Sequence, residues 1–382
     1  MAEDGKRARA LAWAAWAALF GITAAIIMCG SSRSVVPSYR LAALSWIAGQ
    51  NLYDGTGFGG FVYFPQSAIL FVPIALLKPV AGEVVWRFVN IGVFAAGLRV
   101  FSRLRTPAPG KDLFPLMTVV AIPLAWDCAR NGQATLIMTG LMLLAVSDVF
   151  RGRWWRAVAW LCLGVAFKPL VMVLVLLIMA VNRPMTVRLA IGVAVVALLP
   201  FLAQSPAYAA RQYAACFTNM STAAHVGVVA IGWTTPFTAL RVAGIDIPER
   251  VQTVTRLLAA AATLVLCFIA FRRLAGERYA FYLFSLCALY VMLFSPRTEN
   301  NTYVMLAPAF GLFLASAFRV DKRTGEGIFL SILVLILLSS RPISKLVAPH
   351  AEQIWIPPLI GVCFCGYVLY RFFTEPMATA KA

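Results

Sequence analysis

From Phe64 onward, apolar segments of about 15–20 residues follow one another through this chain, separated by short connections carrying Arg and Lys. That succession constrains the fold more than any single motif. About 20 apolar residues are what one helix needs to cross the hydrocarbon core of a bilayer. Only helices and closed barrels satisfy their backbone hydrogen bonds there. The runs are continuous rather than alternating, which excludes a β-barrel. Of the 382 residues, 61% are hydrophobic and 13% charged, whereas a soluble domain is roughly half apolar and about a quarter charged. The fold class expected is all-α: one polytopic integral membrane domain over residues 1–382, with about 10–13 transmembrane or re-entrant helices.

The segments fall near 64–80, 84–104, 112–127, 133–150, 157–181, 185–204, 255–273, 279–294, 301–318, 326–340 and 353–373. Ahead of them, Lys6, Arg7 and Arg9 precede an apolar run from Ala10 to Cys29. This run has the outline of a signal peptide, but it is near full membrane length and shows no convincing cleavage site. It is read as a retained first helix with a cytoplasmic N-terminus. Residues 30–63 form an outer loop in which Val36 to Ile47 makes a short interfacial helix, with Tyr39 and Trp46 as interface anchors. Residues 205–252 form a second, long outer loop.

A net charge of +18 raises the question of nucleic acid. The basic residues, however, sit in clusters between apolar runs: Arg103/Arg105/Lys111, Arg151/Arg153/Arg156, Arg183/Arg188, Arg272/Arg273/Arg278 and Arg319/Lys322/Arg323. Such clusters mark cytoplasmic connections, and nucleic acid is rejected as a partner. The eight cysteines are scattered through apolar segments, and His225 and His350 lie far apart. No disulfide framework or metal cluster is visible. The glycine run from Asp54 to Gly60 follows no strand, so a dinucleotide-binding reading fails.

This topology has one conflict. Both flanks of 157–181 look cytoplasmic, and Lys168-Pro169 stands in the middle. A proline disfavours helical geometry just before it, so a broken pair meeting at Lys168 near the outer face resolves the conflict. In 64–104 the re-entrant piece is undecided. Five polar islands then gather on the outer side: loop 30–63, the turn Asp127 to Gln133, the break at Lys168, the loop 205–252 and the knot Ser295-Pro296-Arg297-Thr298-Glu299-Asn300-Asn301. Ionisable groups at membrane depth are costly and so are functional candidates. Asp127 is either part of a site or a local partner of Arg130. Asp246 and Glu249 read as a helix cap, and Arg87 either as the partner of Glu83 in a helix-surface pair or as a substrate contact.

An outward site has no access to nucleotide sugars, so an activated donor has to arrive in lipid. A polyprenyl phosphate sugar meets that need, with a lipid or glycan as acceptor and membrane lipids as surroundings. Arg297, Lys168 and Arg130 are candidates for the phosphate. Tyr63, Gln66, Asn131, Gln133 and Asn300 are candidates for the sugar, with Asp127 beside them. Deprotonating the acceptor needs a carboxylate, and the candidates for this catalytic role are Glu299 first and Asp54 second.

Four short motifs carry a family resemblance. Tyr63-Phe64-Pro65-Gln66 is similar to the Tyr-Pro-Pro-type segment that opens glycosyltransferase family 87, and Asn131-Gly132-Gln133 resembles its Gly-Gln motif. Ala166-Phe167-Lys168-Pro169 resembles its Lys-x-x-Pro-like element with the proline two residues early, and Ser295-Pro296 followed by Glu299 its late Ser-Pro loop. The likeness runs from about Tyr39 to about Leu314. It implies a GT-C-like architecture and inverting transfer of mannose from a polyprenyl phosphate, without metal or other cofactor. One departure stands out: the family's Asp shortly before a Tyr is replaced here by Ser34-Val35-Val36-Pro37-Ser38 ahead of Tyr39, and a late-loop His is absent. Either Asp54 or Glu299 has taken over, or the apparatus differs, or the chain is an inactive member. A transporter or flippase of a lipid-linked or anionic substrate is the rival of another class. The site is expected to face the outer, periplasmic side of the cell membrane.

Overall fold

The computed structural model describes residues 2–30, 33–54, 60–105, 112–225, 233–274, 276–296, 298–348 and 355–375. Among them there is no strand; the chain is a helical membrane protein. In order the helices are α1 (Ala2–Met28), α2 (Val36–Ile47), α3 (Pro65–Ala75), α4 (Pro79–Ser102), α5 (Phe114–Asn131), α6 (Thr135–Phe150), α7 (Trp154–Phe167), α8 (Met172–Val181) and α9 (Arg183–Ala203). There follow α10 (Pro206–His225), α11 (Pro236–Val242), α12 (Glu249–Arg273), α13 (Gly276–Phe294), α14 (Ala307–Arg319), α15 (Thr324–Leu338), α16 (Ser340–Val347) and α17 (Ile356–Thr374). Among the described residues, seven stretches are long and apolar enough to span a bilayer, and α15 with α16 makes an eighth if that pair, bent by 72°, counts as one span.

The undecided region 64–104 resolves by length. α3 has 11 residues, about 17 Å at the helical rise of 1.5 Å per residue, too short to cross. α4, with 24 residues, is long enough. α7 ends at Phe167, and Lys168 is extended at φ −151° and ψ 121° before a 3₁₀ turn at Pro169–Val171. The break expected there is present.

α13 and α14 are mostly buried, while α9 and α12 bury few of their residues within the protein, as helices on the lipid side of a bundle do. Packing at the centre is aromatic: Phe310 stacks on Phe364 with centroids 3.7 Å apart, and Phe281 meets Phe313 at 4.4 Å. α4 and α6 approach backbone to backbone, because a Cβ on Gly97 would stand 2.5 Å from the Gly140 carbonyl oxygen. Lipid supplies no hydrophobic drive between helices, so close approach through small residues is a main source of their attraction.

The basic clusters meet acids at one end of the bundle. Asp112 accepts from Arg9 at 2.7 Å and from Arg99 at 2.8 Å. Arg105 bridges Asp321 at 3.0 Å and Glu375 at 2.8 Å, and Arg371 reaches Glu326, Asp321 and Glu375. These cations therefore tie helices and connections together at that end.

Three expectations change. Tyr39 and Trp46 are not lipid-interface anchors but buried side chains: Tyr39 packs on Tyr63, Phe71 and Trp86, and Trp46 on Tyr208. Asp246 does not cap α12, because Pro248 holds the cap position and Asp246 pairs with Arg241 at 3.4 Å. The segment 205–252 is largely helical, containing α10, α11 and the start of α12.

Candidate active site

The site is built on the turn that ends α5. Gly132 has φ +67°, and the bonds from Gly132 N–H to Ala129 O and from Gln133 N–H to Cys128 O make a Schellman close. α4 grips this turn by its carbonyls. Trp86 Nε1 donates to Gly132 O at 2.7 Å, Arg87 Nη2 to Arg130 O at 3.0 Å, and Asn90 Nδ2 to Gln133 O at 2.7 Å. Arg87 is fully buried, so its charge needs compensation; Glu83 lies 3.2 Å away and Ser34 Oγ accepts at 2.9 Å. The i,i+4 pair of Glu83 and Arg87 is thus a buried clamp rather than a surface contact.

The clamp fixes the backbone from which Gln133 extends. Gln133 is nearly buried, and its Nε2 donates to Glu299 Oε2 at 2.8 Å. Its other polar atom, Oε1, is buried without a hydrogen-bond partner among the described residues. Glu299 is exposed and has an extended backbone ahead of the 3₁₀ turn Asn300–Leu306. The knot around it is anchored from behind: Thr298 O accepts from Thr234 N–H at 2.7 Å, and Tyr303 OH donates to Thr234 O at 2.9 Å.

Lys168 closes the same corner. Its Nζ donates to Thr135 Oγ1 at 2.8 Å, two residues beyond Gln133. Lys168 and Glu299 both lie within electrostatic reach of the buried thiol of Cys128. From the other side, Tyr39 OH accepts from Ala134 N–H at 3.4 Å and meets Tyr63 OH at 3.2 Å. Burial, with the Tyr63 hydroxyl adding to it, holds the Tyr39 phenol well above the ordinary tyrosine range, so it remains a neutral hydroxyl.

Of the residues chosen from sequence, Glu299 and Gln133 meet directly, Lys168 bonds Thr135 two residues further along the same segment, and Tyr63 reaches that segment through Tyr39. Arg130 and Asn131 belong to the gripped turn; the Arg130 Nε is buried without a hydrogen-bond partner among the described residues, and the Asn131 carbonyl accepts from Val35 N–H. Asn300 Oδ1 accepts from Ser340 Oγ at 3.5 Å. Asp127 pairs with Arg341 at 3.4 Å rather than with Arg130. Gln66 is buried against α10, where it accepts from Tyr213 OH at 3.0 Å. Asp54 is exposed and held by Asn51. Among the described residues, neither Gln66 nor Asp54 hydrogen-bonds to the Gln133–Glu299 pair. Arg297 lies outside the described residues, as do the glycines of 55–59, His350 and Glu352.

Sequence reasoning missed Asn90 and Thr135. Asn90, a buried amide within an apolar helix, carried the signal that polar groups at membrane depth have work to do; Thr135 carried none.

No curated protein matches the chain. The family model of glycosyltransferase family 87 matches residues 61–296, which takes in the gripped turn and Lys168 and stops just short of Glu299. With well over half its length matched, the chain belongs to glycosyltransferase family 87 and is a membrane glycosyltransferase.

Proposed function

We propose that the chain transfers a sugar, mannose in the first instance, from a polyprenyl phosphate to a hydroxyl of a lipid or glycan acceptor at the outer face of the cell membrane. The observation that carries this reading is the Gln133–Glu299 hydrogen bond with the Lys168 ammonium in the same corner. A carboxylate and a cation there serve the two demands of the reaction. Glu299 takes the proton of the acceptor hydroxyl, whose oxygen forms the new bond to the anomeric carbon. The anomeric carbon–phosphate oxygen bond breaks, and its electron pair leaves on the polyprenyl phosphate. Lys168, with Arg130 and Arg297, meets that growing charge; fixed cations of this kind stabilise a transition state without reorganising. Gln133 holds one Glu299 oxygen and leaves the other for the acceptor. Tyr63, Asn131 and Asn300 contact the sugar. An outward site agrees with the basic clusters lying at the opposite end of the helices.

The test is mannose transfer by the purified protein in nanodiscs, offered polyprenyl phosphate mannose in EDTA and, separately, a nucleotide sugar. Turnover of the lipid donor alone is the expected result, and Glu299→Gln lowers it by about 10²–10⁴-fold. Full activity in Glu299→Gln removes Glu299 as the base, and turnover of the nucleotide sugar removes the lipid donor.

A further inference from the structure

α4 and α6 are in backbone contact at Gly140, where a Cβ would stand 2.5 Å from Val93 O. One turn along α4 towards the site, Asn90 is therefore close enough for a short side chain to reach the start of α6. It is fully buried and both of its polar groups are used: Nδ2 donates to Gln133 O at 2.7 Å, and Oδ1 accepts from Ile137 N–H at 2.6 Å. Positions 133 and 137 are four apart, the spacing of one α-helical hydrogen bond. Were α6 to begin one turn earlier, Ile137 N–H would bond Gln133 O directly. The Asn90 amide stands between the two groups and takes both, so α6 starts at Thr135 and Gln133 is left outside it. The first N–H groups of a helix lack partners within it, and at membrane depth no water replaces them. The segment bracketed in this way carries two side chains of the site: Gln133 Nε2 donates to Glu299, and Thr135 Oγ1 accepts from Lys168 Nζ.

We infer that Asn90 is a positioning residue for glycosyl transfer. By standing in for the first hydrogen bond of α6, it stops the helix from winding back onto Gln133. It thereby holds at once the amide that orients Glu299 and the hydroxyl that tethers Lys168. Without it, Gln133 O and Ile137 N–H pair with each other, the backbone at 133 turns helical, and the Gln133 side chain leaves Glu299. The inference rests on the reading of Glu299 as base and Lys168 as the cation at the phosphate.

Steady-state kinetics of Asn90→Leu in nanodiscs with polyprenyl phosphate mannose test it, with Gln133→Leu and the double variant alongside. Asn90→Leu is expected to lower kcat about 10²-fold, the scale of a displacement near 1 Å. It is also expected to raise the donor KM, because the Lys168 tether slackens with Thr135. Loss of folded protein alone would lower the apparent kcat and leave KM where it was. In the Gln133→Leu background the same substitution costs kcat much less, since the arm through which it acts is gone. Where Asn90→Leu is not recovered from the membrane, Asn90→Ser takes its place with the same expected losses. Its hydroxyl bonds the carbonyl four residues back within α4 and is too short to take both groups on α6. The inference is overturned if the variant keeps wild-type kcat and KM, if the apparent kcat falls with KM unchanged, or if its effect and that of Gln133→Leu are fully additive. Full activity in Glu299→Gln overturns the base assignment instead, and a wild type without turnover removes both.

Discussion

The guanidinium of Arg87 occupies the space that a side chain at position 132 would need: a Cβ on Gly132 would stand 2.4 Å from Arg87 Nη1. The left-handed backbone at Gly132 disfavours a side chain as well. Gly132→Ala therefore meets two penalties, the backbone strain alone being about 1–3 kcal/mol. Relief of the clash requires Arg87 to leave the carbonyl of Arg130, which loosens the turn that aims Gln133. The variant is expected to unfold more readily in a thermal assay in detergent and to lose transfer activity. An unchanged melting profile would show that the clamp is slack.

Removing the other side of the clamp has a similar consequence. Arg87→Met leaves the buried Oε2 of a partly buried Glu83 beside an apolar side chain and strips Arg130 O of its donor. Breaking a buried pair from one side costs about 3–5 kcal/mol. Glu83→Gln, which can still accept from Arg87, costs less. If both variants were equally stable, the buried charge would be compensated elsewhere.

What the sequence made legible was whatever is local. Apolar run length sets the helical class, and Pro169 places the break at Lys168. It also named Gln133, Lys168 and Glu299 separately, each as a polar residue where apolar ones prevail. It did not give their meeting, since Gln133 and Glu299 are 166 positions apart. The same limit hid Asp127 with Arg341, because the local partner Arg130 is the one that spacing offers. Tyr39 and Trp46 looked like interface anchors because an aromatic in an amphipathic helix reads alike whether lipid or protein covers it.

Gln133 and Glu299 act as a unit if the hydrogen bond positions the base. Gln133→Leu is expected to lower transfer by about 10²–10³-fold, the scale for removing one preorganised donor. Glu299→Gln lowers it further, and the double variant is no worse than Glu299→Gln alone, because residues acting together are not additive. Full additivity in that cycle would place Gln133 on the substrate instead.

Lys168 is held by Thr135 and enters no ion pair among the described residues, which leaves ammonium donors for a phosphate. Lys168→Met is expected to impair both donor binding and turnover, as the charge on the phosphate grows during bond cleavage. Lys168→Arg retains part of the activity. Thr135→Val, which frees the ammonium from its tether, raises the KM for the donor with a smaller effect on kcat. An effect of Lys168→Met confined to acceptor KM would move the cation away from the donor.

The tyrosines at the polar end make stability fall in alkali. Burial raises Tyr39 and Tyr53, in each case as the largest cause, with Tyr63 next for Tyr39 and Cys216 next for Tyr53. In the unfolded chain these phenols ionise near pH 10. Above that pH the unfolded state has lost protons that the folded state keeps, so the unfolded state binds fewer protons and stability declines as pH rises. The contribution of both groups is fully present below about pH 10 and is lost progressively above it. Tyr53→Phe costs stability at pH 7, because the bond to Tyr63 O disappears, yet it flattens the alkaline decline. Chemical unfolding followed from pH 8 to pH 11 in wild type and Tyr53→Phe checks this, and parallel curves above pH 10 would mean that Tyr53 ionises alike in the folded and unfolded chain.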